Sequence, residues 1–262
     1  MLRSLMKYEF MAMGRVFLPL YGALIVISIV NRIIGSFEAE IPSGISIFIL
    51  VVLMIGIAVI TCILMIQRFW TNLLSGEGYL MMTLPVSTAR IILSKLFTAS
   101  VLCVASSIVV AISIFIAFFV NLDFSDIVNA IKYVRGLIPF SSGQVVILLI
   151  QFLIACILWL FTNIMLLYAS MSLSMISNKH RWLVAVGAFI VLTTALQVIV
   201  SVASVIGVST GVFEQYYRLL LSFPSFGQVQ LILLACMILS VGFLAAYYFI
   251  TRYMLKNRLN LQ

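Results

Sequence analysis

The chain has 262 residues and a formal net charge of +8, with 65% hydrophobic residues against only 8% charged. Soluble domains carry about 25% charged residues, so a mean hydropathy of +1.29 leaves lipid as the solvent for most of this chain. The same arithmetic excludes intrinsic disorder, a secreted disulfide scaffold and a nucleic-acid-binding domain, and the positive charge has to be set against the two sides of a membrane.

At the N-terminus, residues 1–15 place Leu2, Leu5, Met6, Phe10 and Met13 at helical spacing, with Arg3, Ser4 and Lys7 on another face. That pattern predicts a helix lying in the membrane interface. A first apolar run covers Val16–Ile34; its length, and its continuation into Asn31-Arg32, argue against a cleavable signal peptide. Crossing the hydrocarbon layer takes about 20 apolar residues. Further runs of that kind cover Gly44–Ile66, Leu96–Val120, Val145–Ser170, Leu183–Val208 and Val229–Ile250. These runs are continuously apolar rather than alternating, which disfavours a β-barrel. The expected fold class is an all-α integral membrane protein, one domain over 1–262 with six transmembrane helices.

Basic residues set the expected orientation. With the N-terminus inside, the cytoplasmic set is Arg3, Lys7, Arg15, Arg68, Arg90, Lys95, Lys179, Arg181, Arg252, Lys256 and Arg258, leaving only Arg32, Lys132, Arg135 and Arg218 outside. Lys and Arg in short loops govern topology, so both termini are expected in the cytoplasm. Glu38, Glu40, Asp123, Asp126 and Glu214 then fall outside, with Glu9 and Glu77 inside.

Between the second and third spans, residues 67–95 form the one sizeable cytoplasmic connector. Gly76 and Gly78 flank Glu77 and predict a bend, Pro85 breaks any continuous helix, and Ser87 suits a cap for the helix that follows. Tyr79, Leu80, Met81, Met82 and Leu84 make the middle mostly apolar, a surface that fits an anchor for a partner better than a solvated loop. The run Glu77-Gly78-Tyr79-Leu80, then Thr83-Leu84-Pro85-Val86-Ser87 and Lys95, resembles the connector of type-2 ABC transporter permeases, the membrane subunits of ATP-driven exporters. Lys7-Tyr8-Glu9-Phe10 is similar to the N-terminal interfacial helix of that family. The local likeness covers about twenty residues, and the large outer domain of some relatives is missing, so the chain looks like a compact peptide-exporter member in a bacterial cell membrane.

The resemblance implies a mechanism. Two permease copies, a homodimer in preference to a heterodimer, would face each other above two ATPase subunits that hold ATP and Mg. The connector would act as a coupling helix, with Glu77, Gly78, Tyr79, Leu80, Leu84 and Pro85 at or near the ATPase contact. The second span, polar only at Ser46, Thr61 and Cys62, would wall a path suited to hydrophobic or amphipathic cargo, such as bacteriocin, lantibiotic or phenol-soluble-modulin peptides, and the direction of transport rests on the family likeness.

Beyond the third span, residues 121–143 repeat an amphipathic pattern: Phe124, Ile127, Val128, Ile131, Val134 and Ile138 against Asp126, Asn129 and Arg135. In the fourth span Gln151 and Thr162 are minor candidates for a path, Gln151 being better suited to bonding a neighbouring helix. The fifth span has Thr193, Gln197, Ser201 and Ser204 at offsets 0, 4, 8 and 11, one narrow stripe at about 100° per residue. In the family the second and fifth spans line the path at the dimer seam, so this stripe is expected either to line that path or to pack against another helix. Residues 209–228, with Phe213, Tyr216, Tyr217, Phe223, Phe226 and the breakers Pro224 and Gly227, match either the family's outer re-entrant segment or an interfacial aromatic belt.

The chemistry absent from these residues matters as much. All seven acidic residues lie in loops or interfacial segments, so no proton relay crosses the spans. His180, between Lys179 and Arg181, is the sole histidine, and Cys62, Cys103, Cys156 and Cys236 each sit inside an apolar run as expected for reduced, buried thiols. Neither a metal site, a catalytic carboxylate pair nor a serine triad is expected. No Gly-Lys dipeptide occurs, which removes the phosphate-cradling G-x-x-x-x-G-K-[ST] loop. A non-catalytic subunit without a cofactor of its own is the leading expectation. The alternative is a membrane interaction protein, an immunity or sensor component, that binds without transporting.

Overall fold

A computed structural model describes residues 2–35, 40–71, 88–119, 124–137, 140–177, 180–209 and 226–257. Among the described residues every element is helical: α1 Leu2–Gly35, α2 Glu40–Phe69, α3 Thr88–Ile114 continued by a π-helical turn Phe115–Phe119, α4 Phe124–Leu137, α5 Ser142–Leu173 continued by a 3₁₀ turn Ser174–Ile176, α6 Arg181–Ser209 and α7 Phe226–Asn257. Six of them contain stretches long and apolar enough to cross a membrane: Met13–Ile34, Ile47–Phe69, Thr88–Ala117, Ser142–Ile176, Arg181–Val202 and Phe226–Lys256. The all-α, six-span expectation therefore holds.

Two boundaries differ from the hydropathy expectation. No helix break separates residues 1–15 from the first span, because α1 runs from Leu2 through Pro19 to Gly35. Pro19 removes one N–H from the ladder, a loss that is tolerated within membranes. The helix of the third span begins at Thr88, where the cap residue Ser87 predicts a start, and its membrane-spanning stretch also begins there rather than at Leu96. Arg90, Ser94 and Lys95 interrupt the hydropathy there, yet Ile91, Ile92, Leu96 and Ala99 are buried and hold the helix in place. Lys95 itself, expected among the cytoplasmic loop charges, is 3% exposed and engaged by another group. The helices group into two compact units, Met1–Phe69 with Pro85–Leu137 and Trp70–Leu84 with Ile138–Gln262.

In the first unit α1 and α3 run in the same direction with α2 opposed. Met13 and Phe17 of α1 meet Leu102, and Tyr21 meets Ser106 one turn further along, whereas Met65 of α2 meets Cys103 and the earlier Thr61 meets Ser106. Phe10, Tyr21 and Leu64 close over the Met13–Phe17–Leu102 cluster. The opposite face of α3 presents Leu93, Phe97, Val101, Val104, Ile108 and Ile112 outward at helical spacing, an apolar stripe suited to lipid. Residues 121–143 were expected to be amphipathic, and α4 forms there, with Asn129 and Lys132 exposed, but Arg135 is half-buried rather than facing water.

In the second unit α5 and α7 run in parallel along their lengths. The Phe140 and Phe226 rings meet edge to face at 6.1 Å near their starts, and the Thr162 hydroxyl donates to the Ser240 carbonyl at 3.1 Å further along. A capping box starts α5: the Gln144 N–H bonds the Ser141 hydroxyl, and the Gln144 side chain accepts from the Ser141 N–H. Burial is uneven. From Thr162 onward α5 buries Ile164, Met165, Leu166, Tyr168, Ala169 and Met171, while Val146, Leu149, Ile150, Phe152 and Leu153 in its first half are exposed. Ala185 is the one buried side chain described on α6, close to its start.

Candidate functional site

Of the residues proposed at the partner contact, Glu77, Gly78, Tyr79, Leu80, Leu84 and Pro85 lie outside the described residues. What is described of the 67–95 connector is helical: the end of α2, a π-type turn at residues 70–71, and the start of α3. The 209–228 segment is described only at Ser209 and from Phe226, where α6 ends and α7 begins.

The fifth-span stripe is described on α6. Thr193 is half-buried, and its hydroxyl donates to the Phe189 carbonyl at 2.7 Å. Ser201 is exposed and donates to the Gln197 carbonyl at 2.7 Å. Ser204 belongs to the helix, and its side chain is outside the description. Hydroxyls that bond back to a carbonyl one turn earlier are satisfied within their own helix. Gln197 differs, because its amide carries two donors and two acceptor lone pairs and lies exposed in a span of valine, isoleucine and leucine. An amide facing pure hydrocarbon costs several kcal/mol on the order of water-to-cyclohexane transfer. Position 197 therefore favours a polar neighbour: water, a ligand or another helix.

Gln151 and Thr162 behave differently from the expectation. The Gln151 Oε1 is buried and accepts no hydrogen bond among the described residues, although the sequence pointed to a bond with a neighbouring helix. Thr162 donates to both the Leu158 and Ser240 carbonyls, which makes it a fastener between α5 and α7.

Sequence reasoning missed a polar chain in the first unit. The Tyr21 hydroxyl lies 2.7 Å from Ser106 Oγ, which lies 3.3 Å from Thr61 Oγ1. Thr61 spends its single proton on the Ile57 carbonyl at 2.7 Å. Consequently Ser106 donates to Thr61, and Tyr21 donates to Ser106, tying three helices through one relay. Seven residues beyond, Ser28 on α1 and Ser113 on α3 are fully buried: Ser28 donates to the Leu24 carbonyl, and the Ser113 hydroxyl has no partner among the described residues. The available signal was the repeated spacing Tyr21/Ser28 and Ser106/Ser113, which becomes meaningful once α1 and α3 are known to be parallel.

No group of three or more metal-ligating His, Cys, Asp or Glu side chains occurs among the described residues, and the four cysteines are unpaired thiols. No protein-family model, curated protein or solved structure matches the chain.

Proposed function

We propose that the chain is the membrane subunit of an ATP-driven exporter of the type-2 ABC permease kind, forming the path for hydrophobic or amphipathic peptides. Both termini face the cytoplasm of a bacterial cell, a second copy completes the path, and two separate ATPase chains supply the energy. The observation that carries this reading is the connector between the second and third spans. Its apolar Tyr79–Leu84 stretch, bracketed by Gly78 and Pro85 on the side rich in Lys and Arg, suits docking against another protein. The exposed Gln197, set in an apolar helix, supports a lining that offers a peptide backbone an amide within an otherwise hydrophobic wall.

A second reading has its own support. The Thr193 and Ser201 hydroxyls are consumed by their own helix, which leaves little polarity for a path and suits a membrane interaction protein that binds without transporting.

Two variants separate the readings. Tyr79→Ala with Leu84→Ala is expected to abolish co-purification of an ATPase subunit and its stimulation; retention of both overturns the coupling assignment. Gln197→Leu is expected to leave the folded protein and its ATPase partner intact while lowering ATP-dependent movement of labelled amphipathic peptide into vesicles about ten-fold. Unchanged movement removes Gln197 from the path.

A further inference from the structure

Sulfur collects at one level of the first unit. The Cys103 thiol of α3 donates to the Met65 thioether of α2 at 3.8 Å. Cys62 precedes Met65 by one turn on α2, which makes the two neighbours on the helix surface. It is also close enough to Cys103 for a charge on one sulfur to act on the other. Met65 is buried, Cys103 half-buried and Cys62 exposed, so the cluster runs from the packed seam between α2 and α3 out to its rim. The same packing holds it in place, since Thr61 meets Ser106 one turn away on each helix. No group of three or more His, Cys, Asp or Glu side chains occurs among the described residues, so an ion at this seam takes the thioether as a ligand.

Two sulfurs bound to one ion at about 2.3 Å, with roughly 110–120° between the bonds, stand roughly 3.8–4.0 Å apart. The Met65–Cys103 separation lies in that range, so the pair can take an ion without a shift of either helix. Thioether and thiol are soft donors, which select Cu(I) and reject Mg and Ca. Structural zinc takes four Cys or His ligands, whereas the hydroxyls alongside, Thr61 and Ser106, are already held in the relay from Tyr21 to the Ile57 carbonyl. An apolar surrounding favours a neutral complex, and one thiolate cancels one positive charge. We propose that Cys62, Met65 and Cys103 form a binding site for a soft monovalent cation, Cu(I) or Ag(I), at the α2–α3 seam. On binding, the Cys103 S–H bond breaks, a sulfur–metal bond forms and the proton passes to the buffer. Met65 and Cys62 contribute lone pairs, and no electron is transferred. This assignment stands on the first unit alone and holds whether or not the protein transports peptides.

Competition between the purified full chain in detergent micelles and a chromophoric Cu(I) chelator, both kept reduced with ascorbate, tests it. The wild-type chain is expected to withdraw Cu(I) from the chelator. Cys62→Ser, Met65→Leu and Cys103→Ser are each expected to weaken retention at least about ten-fold, the least that loss of a supporting group costs a metal site. The double variant Cys156→Ser, Cys236→Ser should retain Cu(I) as the wild type does. Leucine conserves the volume of methionine, and serine differs from cysteine by one atom, so the three variants should keep the helix packing. As a second readout, on the wild-type chain, X-ray absorption at the copper edge is expected to show sulfur as the sole neighbour of the metal. Undiminished retention in any of the three single variants, loss of Cu(I) in the Cys156/Cys236 variant, nitrogen or oxygen neighbours at copper, or displacement of Cu(I) by an equal concentration of Zn(II) overturns the proposal.

Discussion

Ser106 joins three helices through one oxygen, accepting from Tyr21 and donating to Thr61. Interhelical hydrogen bonds within membranes average about 0.6 kcal/mol, with the strongest near 1.7. Ser106→Ala breaks both middle links of the relay and is expected to cost about 1–2 kcal/mol, read from unfolding in mixed micelles. Tyr21→Phe removes only the terminal donor, keeps the Phe17 ring contact at 5.5 Å, and is expected to cost about half as much. A larger loss for Tyr21→Phe than for Ser106→Ala would contradict the relay. Such a knot could not be seen in the sequence, because Tyr21, Thr61 and Ser106 lie on separate spans and meet only once register and direction are fixed. The stripe at Thr193, Gln197 and Ser201 was visible in advance, since one helical period places its members together. Which of them has polarity left to offer was not, because that depends on hydroxyls turning back to Phe189 and to Gln197 itself.

Among the elements, α5 shows how local rules and tertiary packing divide the work. Its first turn is fixed by Ser141 and Gln144, in a stretch where neighbouring helices cover few side chains. Ser141→Ala is expected to cost about 1 kcal/mol and to speed amide exchange at residues 143–146 severalfold, with the Thr162–Met171 half of the helix unaffected. Equal acceleration along the whole helix would show that the cap does not act locally. Hydropathy located all six spans because the bilayer demands length and apolarity and little else. It misplaced the ends wherever a polar residue lies inside a helix. Lys95 and Ser94 hid the first two turns of α3 from hydropathy, although Ser87 before them predicts a helix start, and the polar residues within 1–15 mark no break in the α1 backbone.

For the molecule as a whole, composition announced a membrane protein, and six helices long and apolar enough to cross a bilayer agree. The grouping of spans into two compact units was not legible, because it depends on which apolar faces choose each other, and leucine-rich faces carry little identity. Sidedness is the property open to direct measurement. Under the proposed orientation, Asn129→Cys on α4 should react with an impermeant maleimide in intact cells, whereas Lys256→Cys on α7 should react only after permeabilisation. Both positions are exposed, so protection reports the membrane side and not burial. Reversal of the two patterns would place the 67–95 connector outside the cell and end the exporter proposal.

The position of the described burial on α6 has a mechanical consequence. That burial is at Ala185, and the helix continues to Ser209, roughly 36 Å further at 1.5 Å per residue. A tilt of about five degrees about Ala185 moves the Ser209 end by roughly 3 Å. Gln197, halfway along, travels half as far, so tilting about the basic end of α6 displaces its exposed amide by roughly 1.5 Å.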